Sequence, residues 1–203
     1  MKNKNIILII VSIVVVGFFS GCNTIGEPKA INPETGRIDT NLSYGTKANI
    51  VHSEQIDLSG HRDLILVLGG DFFREQTELT GYFKKVVNRE EMEKLLISEG
   101  LTDLVSDVTN YISWKKINDN YGEFLVLKPD TRDEGRSEFI QIKVIDPSKA
   151  KDLFIAEVKL DYMWKGINDD TVFYPLYNAF LDWMEMNTGE KPSGMLSSST
   201  PSE

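Results

Sequence analysis

A fourteen-residue stretch, Ile6 to Phe19, apolar but for Ser12 and Gly17, runs straight into Ser20-Gly21-Cys22, and Cys22 is the one cysteine in the 203-residue chain. A basic start (Lys2, Lys4), an apolar stretch and a small-residue site form the pattern of a secretory signal peptide over residues 1–21. As a helix the apolar stretch spans about 21 Å at 1.5 Å per residue. That is short of a hydrocarbon core of about 30 Å, so a leader is the better reading than a permanent span. With the one thiol at the end of the leader, no disulfide can form within the chain, and the fold must hold by its core alone. Composition supplies that core: 41% apolar and 26% charged residues is an ordinary globular balance, at a length that suits one domain with extensions.

Phe19-Ser20-Gly21-Cys22 resembles a bacterial lipobox, with Phe in place of the usual Leu. The resemblance implies that the Cys22 thiol is diacylated and that Cys22 becomes the first residue of the mature chain, a lipid anchor in the membrane. Each buried CH₂ contributes about 0.8 kcal/mol, so several acyl chains hold durably. The bland alternative is a plain signal peptide beside a chance cysteine. Asp after the acylated cysteine tends to retain enterobacterial lipoproteins in the inner membrane. Asn23 therefore implies an outer-membrane location facing the periplasm. Loss of Lys2 and Lys4 leaves 20 basic and 31 acidic residues, a net charge of -11. Such a chain is drawn electrostatically neither to anionic lipid nor to nucleic acid.

Residues 22–57 are rich in Asn, Thr, Gly, Pro and Lys and are expected to form a flexible tether after the lipidated residue, with one short strand around Ala48 to Val51. Residues 189–203 are Ser/Pro/Gly-rich and are expected to be disordered. The αβ domain then spans residues 58–188. Within it, RDLILVL (Arg62–Leu68) predicts a buried strand, Asp71–Gly81 a short helical segment and Tyr82–Val87 a second strand. Asn88 predicts an N-cap, with helical spacing continuing to Ile112. Glu123–Leu127 predicts a strand stopped by Pro129, and Asp130–Ser137 a turn. Phe139–Ile145 and Leu153–Leu160 predict a hairpin. Val172–Met186 predicts a helix with one broad apolar face and Pro175 in its first turn. The expected class is α+β: a mixed sheet of about five strands with two to three helices packed on one face.

Gly69-Gly70-Asp71-Phe72-Phe73 resembles the signature loop of diguanylate cyclases. Phe72 stands where the second acid is needed, however, and no strand follows at once. Two glycines leaving a buried strand explain the segment more simply. His52 and His61 have no HExxH pattern around them and no cysteine to join them, so no metal site is expected. Asp130–Gly135 resembles a calcium loop, but Arg132 and Gln141 occupy ligand positions. No GxSxG elbow is present and no catalytic residue or cofactor is expected. Asn168-Asp169-Asp170 is expected to be an N-cap cluster, and Tyr162, Trp164 and Trp183 are expected to be packing residues.

The strand before Gly69-Gly70, the segment YFKKVVNREEMEKLL and the hairpin FIQIKVIDPSKAKDLFIAEV before a C-terminal helix resemble, over about residues 62–186, a group of bacterial envelope domains. The group comprises the curli secretion lipoprotein family, the TolB N-terminal domain and the LpoB-type activators of penicillin-binding proteins. The resemblance implies a non-catalytic module, and carries over neither pore formation nor any site residue. The expected function is therefore a membrane-anchored lipoprotein that binds an envelope protein partner, with Phe124–Leu127 as a candidate edge for strand addition. The alternative is a glycan- or small-molecule-binding or hydrolytic lipoprotein, with Asp169 and Asp170 beside Trp164 in a cleft.

Overall fold

Alternation along two neighbouring strands sets the architecture. Strands β4 (Ile65–Val67) and β6 (Leu125–Glu134) pair in parallel, Ile65 with Leu125 through Val67 with Leu127. Successive side chains in a strand point to opposite faces, and here both sets are apolar. Ile65, Val67, Leu125 and Leu127 enter one core, while Leu64, Leu66, Phe124 and Val126 enter another. Strands apolar on both faces need cover on both.

The structure is a computed structural model that describes residues 26–41, 47–104, 107–161 and 167–190. The leader, Cys22, Tyr162, Trp164 and the tail from residue 191 lie outside the described residues. The described chain adds β1 (Ile31–Asn32), β2 (Arg37–Ile38), β3 (Asn49–Ser53), β5 (Val86–Val87), β7 (Ser137–Asp146) and β8 (Lys151–Lys159). One open mixed sheet has the order β3-β8-β7-β6-β4-β5, parallel at β6-β4-β5 and antiparallel elsewhere. Helices α1 (Asp71–Glu78) and α4 (Tyr174–Thr188) cover one face, with Phe73, Leu176, Tyr177, Phe180 and Trp183 in its core. Helices α2 (Arg89–Ser98) and α3 (Tyr111–Tyr121) cover the other through Met92, Leu96, Trp114 and Ile117.

The α+β class and the mixed sheet agree with the sequence reading, but placing the helices on one face does not. There are six strands in the sheet and helices on both sides of it. The helical spacing expected to continue from α2 to Ile112 is broken at Gly100, which has a φ of +70°. Asn110 then caps a new helix by accepting the Ser113 N–H at 3.0 Å.

The tether reading of residues 22–57 is corrected over its described part. Residues 26–41 form a strap across α1 and α4, and residues 49–53 are an edge strand of the sheet. Ile31 and Ile38 are buried in the core that α4 joins. Two side-chain amides bond the strap as a strand would. Gln76 accepts from Lys29 N–H at 2.8 Å and donates to its carbonyl at 2.9 Å. Asn178 accepts from Ile38 N–H at 2.7 Å and donates to its carbonyl at 2.9 Å. Arg37 donates to Asp182 and Glu185, each at 2.6 Å, and the Tyr174 hydroxyl donates to the Glu27 carbonyl at 2.9 Å. Tyr174, Asn178, Asp182 and Glu185 thus form one polar stripe at helical spacing on an otherwise apolar helix.

Pro129 does not stop β6, which continues to Glu134 and turns at Gly135 into β7. Leu125 and Leu127 turn their backbone groups toward β4, so alternation points the missing N–H of Pro129 that way too. β4 ends at Val67, so no ladder bond is lost there. Gly69 closes the gap. Its φ is +103°, and an added Cβ would lie 2.4 Å from Pro129 Cγ. Gly69→Ala is expected to destabilise by more than the about 1–3 kcal/mol of backbone strain alone. In urea denaturation, Gly69→Ala/Pro129→Gly should recover only the steric part of that loss.

Candidate functional site

The sheet has two edges, the two-residue β5 and the longer, more exposed β3. Asn49 pairs with Glu157 and Ser53 with Phe154 on β8, with a bulge between Ile50 and His52. Among the described residues no backbone segment pairs with its outer side. Its sequence, NIVHS, contains no Lys or Pro, the residues that commonly block edges. Ile50 is 47% exposed and Val51, at the bulge, 50% exposed. An exposed β-branched pair on an unpaired edge is a template for an added strand.

Three anchors hold this strand in place. A carboxylate row crosses four strands: Asn49 on β3, Glu157 on β8, Gln141 on β7 and Arg132 on β6. The Glu157 side chain is 5% exposed. Its Oε1 accepts from Arg132 Nη2 at 2.9 Å and Asn49 Nδ2 at 3.3 Å, and its Oε2 from Arg132 Nε at 3.0 Å and Gln141 Nε2 at 2.9 Å. The Arg132 guanidinium lies 4.2 Å from the centroid of the Phe139 ring. At the other end of β3, Glu54 pairs with Lys151 and its carbonyl accepts the Trp183 indole N–H at 2.9 Å. Asn187 then accepts the Ile56 N–H at 2.6 Å. Both oxygens of Glu157 are committed to protein donors, so the row braces the sheet rather than offering a reactive carboxylate.

The acids of the hydrolytic alternative are also committed. Asp169 Oδ1 accepts Gly26 N–H at 2.7 Å and Oδ2 accepts Glu27 N–H at 3.1 Å, while Asp170 Oδ1 accepts Asn41 N–H at 3.2 Å. They fasten the strap. Asn168 is the N-cap of the π-helical turn Asp169–Phe173, in a capping box with Thr171. Burial, then Asp169 and Asp170, push the neighbouring Tyr174 hydroxyl up to about 12. Trp183 is fully buried in the core.

The remaining candidates disperse. Asp71 opens α1 rather than a nucleotide loop. His52 lies on β3 with Nε2 3.6 Å from Glu54 Oε1, and His61 closes a 3₁₀ turn, Leu58–His61. Asp130 sits within β6 and accepts from Lys143 Nζ at 2.7 Å. Among the described residues no three His, Cys, Asp or Glu side chains gather as metal ligands, and no helix is long and apolar enough to cross a membrane. The expected edge, Phe124–Leu127, is corrected: this segment lies at the centre of the sheet, with Leu125–Leu127 paired to β4 and β6 continuing against β7. Sequence reasoning placed a short strand around Ala48 to Val51, which overlaps β3, but missed that it joins the sheet as an edge, because the run lies inside a polar, turn-rich stretch. Gln141, between Ile140 and Ile142, and Glu157, between Ala156 and Val158, are polar residues set among apolar neighbours and were the signal for the carboxylate row.

No protein-family model matches the chain, and no curated protein matches it. Among solved structures, the LpoB C-terminal domain from Salmonella enterica is similar over 52% of this chain and 87% of its own length. The two share 15% sequence identity, with a TM-score of 0.33.

Arg132 holds the Glu157 carboxyl below the ordinary value of 4.5, against the opposing effect of burial and with help from Gln141 and Asn49. A depressed folded-state value stabilises above pH 4.5, and that stabilisation is lost as pH falls through it. Glu157→Gln is expected to cost about 1–2 kcal/mol at pH 7. The gap from wild type in urea denaturation should narrow as pH drops below 4.5.

Proposed function

We propose that the chain is an envelope lipoprotein, anchored through Cys22, whose αβ domain is a non-catalytic protein-interaction module. The partner is an envelope protein that adds an extended segment to β3. The open outer side of β3, with Ile50 and Val51 exposed on it, carries this reading. Main-chain hydrogen bonds would supply affinity, and the alternating side chains selectivity. The leader over residues 1–21 and the lone Cys22 at its end support the anchor. Asn23 supports the outer membrane, facing the periplasm. The commitment of Asp169 and Asp170 to the strap backbone speaks for this reading over the glycan-binding or hydrolytic one.

Site-specific photo-crosslinking in cells tests it. A crosslinking residue at Val51 should give one discrete protein adduct, and the same residue at Ile97, exposed on α2, should give none. The adduct should disappear with Cys22→Ser. Ile50→Lys/Val51→Lys should abolish it while changing stability by no more than about 0.5 kcal/mol. Equal labelling from both positions, or an adduct unaffected by the two lysines, would remove β3 as the docking edge.

A further inference from the structure

Resting on the reading of Cys22 as the lipid anchor, we propose that the strap fixes the domain against the bilayer, with the α1 N-terminal end of the sheet facing the lipid. The strap shortens the leash. Gly26 and Glu27 are already fastened to Asp169, and Gly26 lies against Phe72 of α1. Cys22 and Gly26 are four residues apart, a reach of at most about 14 Å. A free chain from Cys22 to Lys47 would reach about 85 Å.

The direction of approach follows from where the strap begins. β4 leaves the sheet through Gly69 and Gly70 into Asp71, and Gly69 packs on Pro129. Gly26, Asp71 and Asp169 therefore lie at the end of the sheet from which β4 exits. Glu123, just before β6, lies at the opposite end. Six residues of strand separate the levels of Glu123 and Pro129, about 20 Å. The Glu123 end of the sheet is thus held away from the membrane, while the β6–β7 hairpin, which runs past Pro129 to Gly135, leans over on the lipid side. The lipid-facing side carries the acids Glu27, Asp71, Asp133, Glu134, Asp169 and Asp170 against the bases Lys29, Arg132 and Arg136, so charge does not draw it to anionic lipid. The leash alone holds it there, and a zwitterionic surface suits it.

Acylation at Cys22 leaves a newly introduced cysteine as the one free thiol, so a single position can be labelled. Asp71→Cys and Glu123→Cys, both at exposed residues, are labelled with a fluorophore in the lipidated full-length mature protein. Each is bound to phosphatidylcholine vesicles containing a headgroup nitroxide lipid. Quenching is expected to be several-fold stronger at position 71 than at 123. Inserting about twenty Gly/Ser residues before Gly26 adds a coil of about 25 Å. This leaves the strap intact and should bring position 71 down to the level of 123. Equal quenching at both positions on vesicle-bound protein, or quenching at 71 that ignores the insertion, would overturn the inference alone. A mature chain whose mass shows no acyl groups would overturn the anchor reading, and this inference with it.

Discussion

Helix α4 is too apolar to lie on a sheet with its other side in water. Nine of its residues are buried, from Tyr174 to Met184, and they go most of the way round the helix. A helix of that kind needs a second cover. Phe180 and Trp183 pack on Phe154 of the sheet, Tyr177 packs on Phe72 and Phe73 of α1, and the strap brings Ile31 and Ile38 into the same core. Because the strap has no long strand of its own, its backbone groups are paired with Gln76, Asn178 and Asp169. An amide that meets both the N–H and the C=O of one strap residue meets the demand that buried polar groups be paired.

The same logic of double cover organises the sheet. β4 and the first residues of β6 are apolar on both faces and draw helices to each side, α1 and α4 on one and α2 and α3 on the other. Further toward β3, the strands carry polar side chains on the α2/α3 face, and the Glu157 row replaces apolar packing there with charge-assisted hydrogen bonds. That exchange lets the sheet run out to an exposed strand without a helix over it. The edge is therefore held by one buried carboxylate and by the indole of Trp183, from opposite sides of the sheet.

The parts legible in the sequence were those whose pattern is local. The runs at Ile65–Val67 and Phe124–Leu127, the β7–β8 hairpin, the Asn88 cap and the apolar face of α4 follow from spacing and turn chemistry alone. The strap, and the place of β3 in the sheet, were not legible, because a polar, turn-rich segment looks the same whether its backbone is solvated or bonded to distant side chains. The stripe Tyr174, Asn178, Asp182 and Glu185 was the available sign, since polar residues at helical spacing imply something polar beside them. Pro129 misled for a related reason: whether a proline interrupts a strand depends on which side its missing N–H faces, and that depends on where β4 ends.

The bonds that close the strap join residues far apart in the chain. Gly26 meets Asp169 across 143 residues, Ile38 meets Asn178 across 140, and Asn49 meets Glu157 across 108. Contacts of such long range form late, because the intervening chain must be ordered first. The N-terminal residues, first to emerge during synthesis, are thus among the last to find their partners. Until α4 is available, Ile31 and Ile38 lack their cover and β3 lacks the part of its brace that Trp183 and Asn187 supply. A polypeptide with this dependence stays open at its N-terminal end while it is being made, and it locks only when its C-terminal helix arrives.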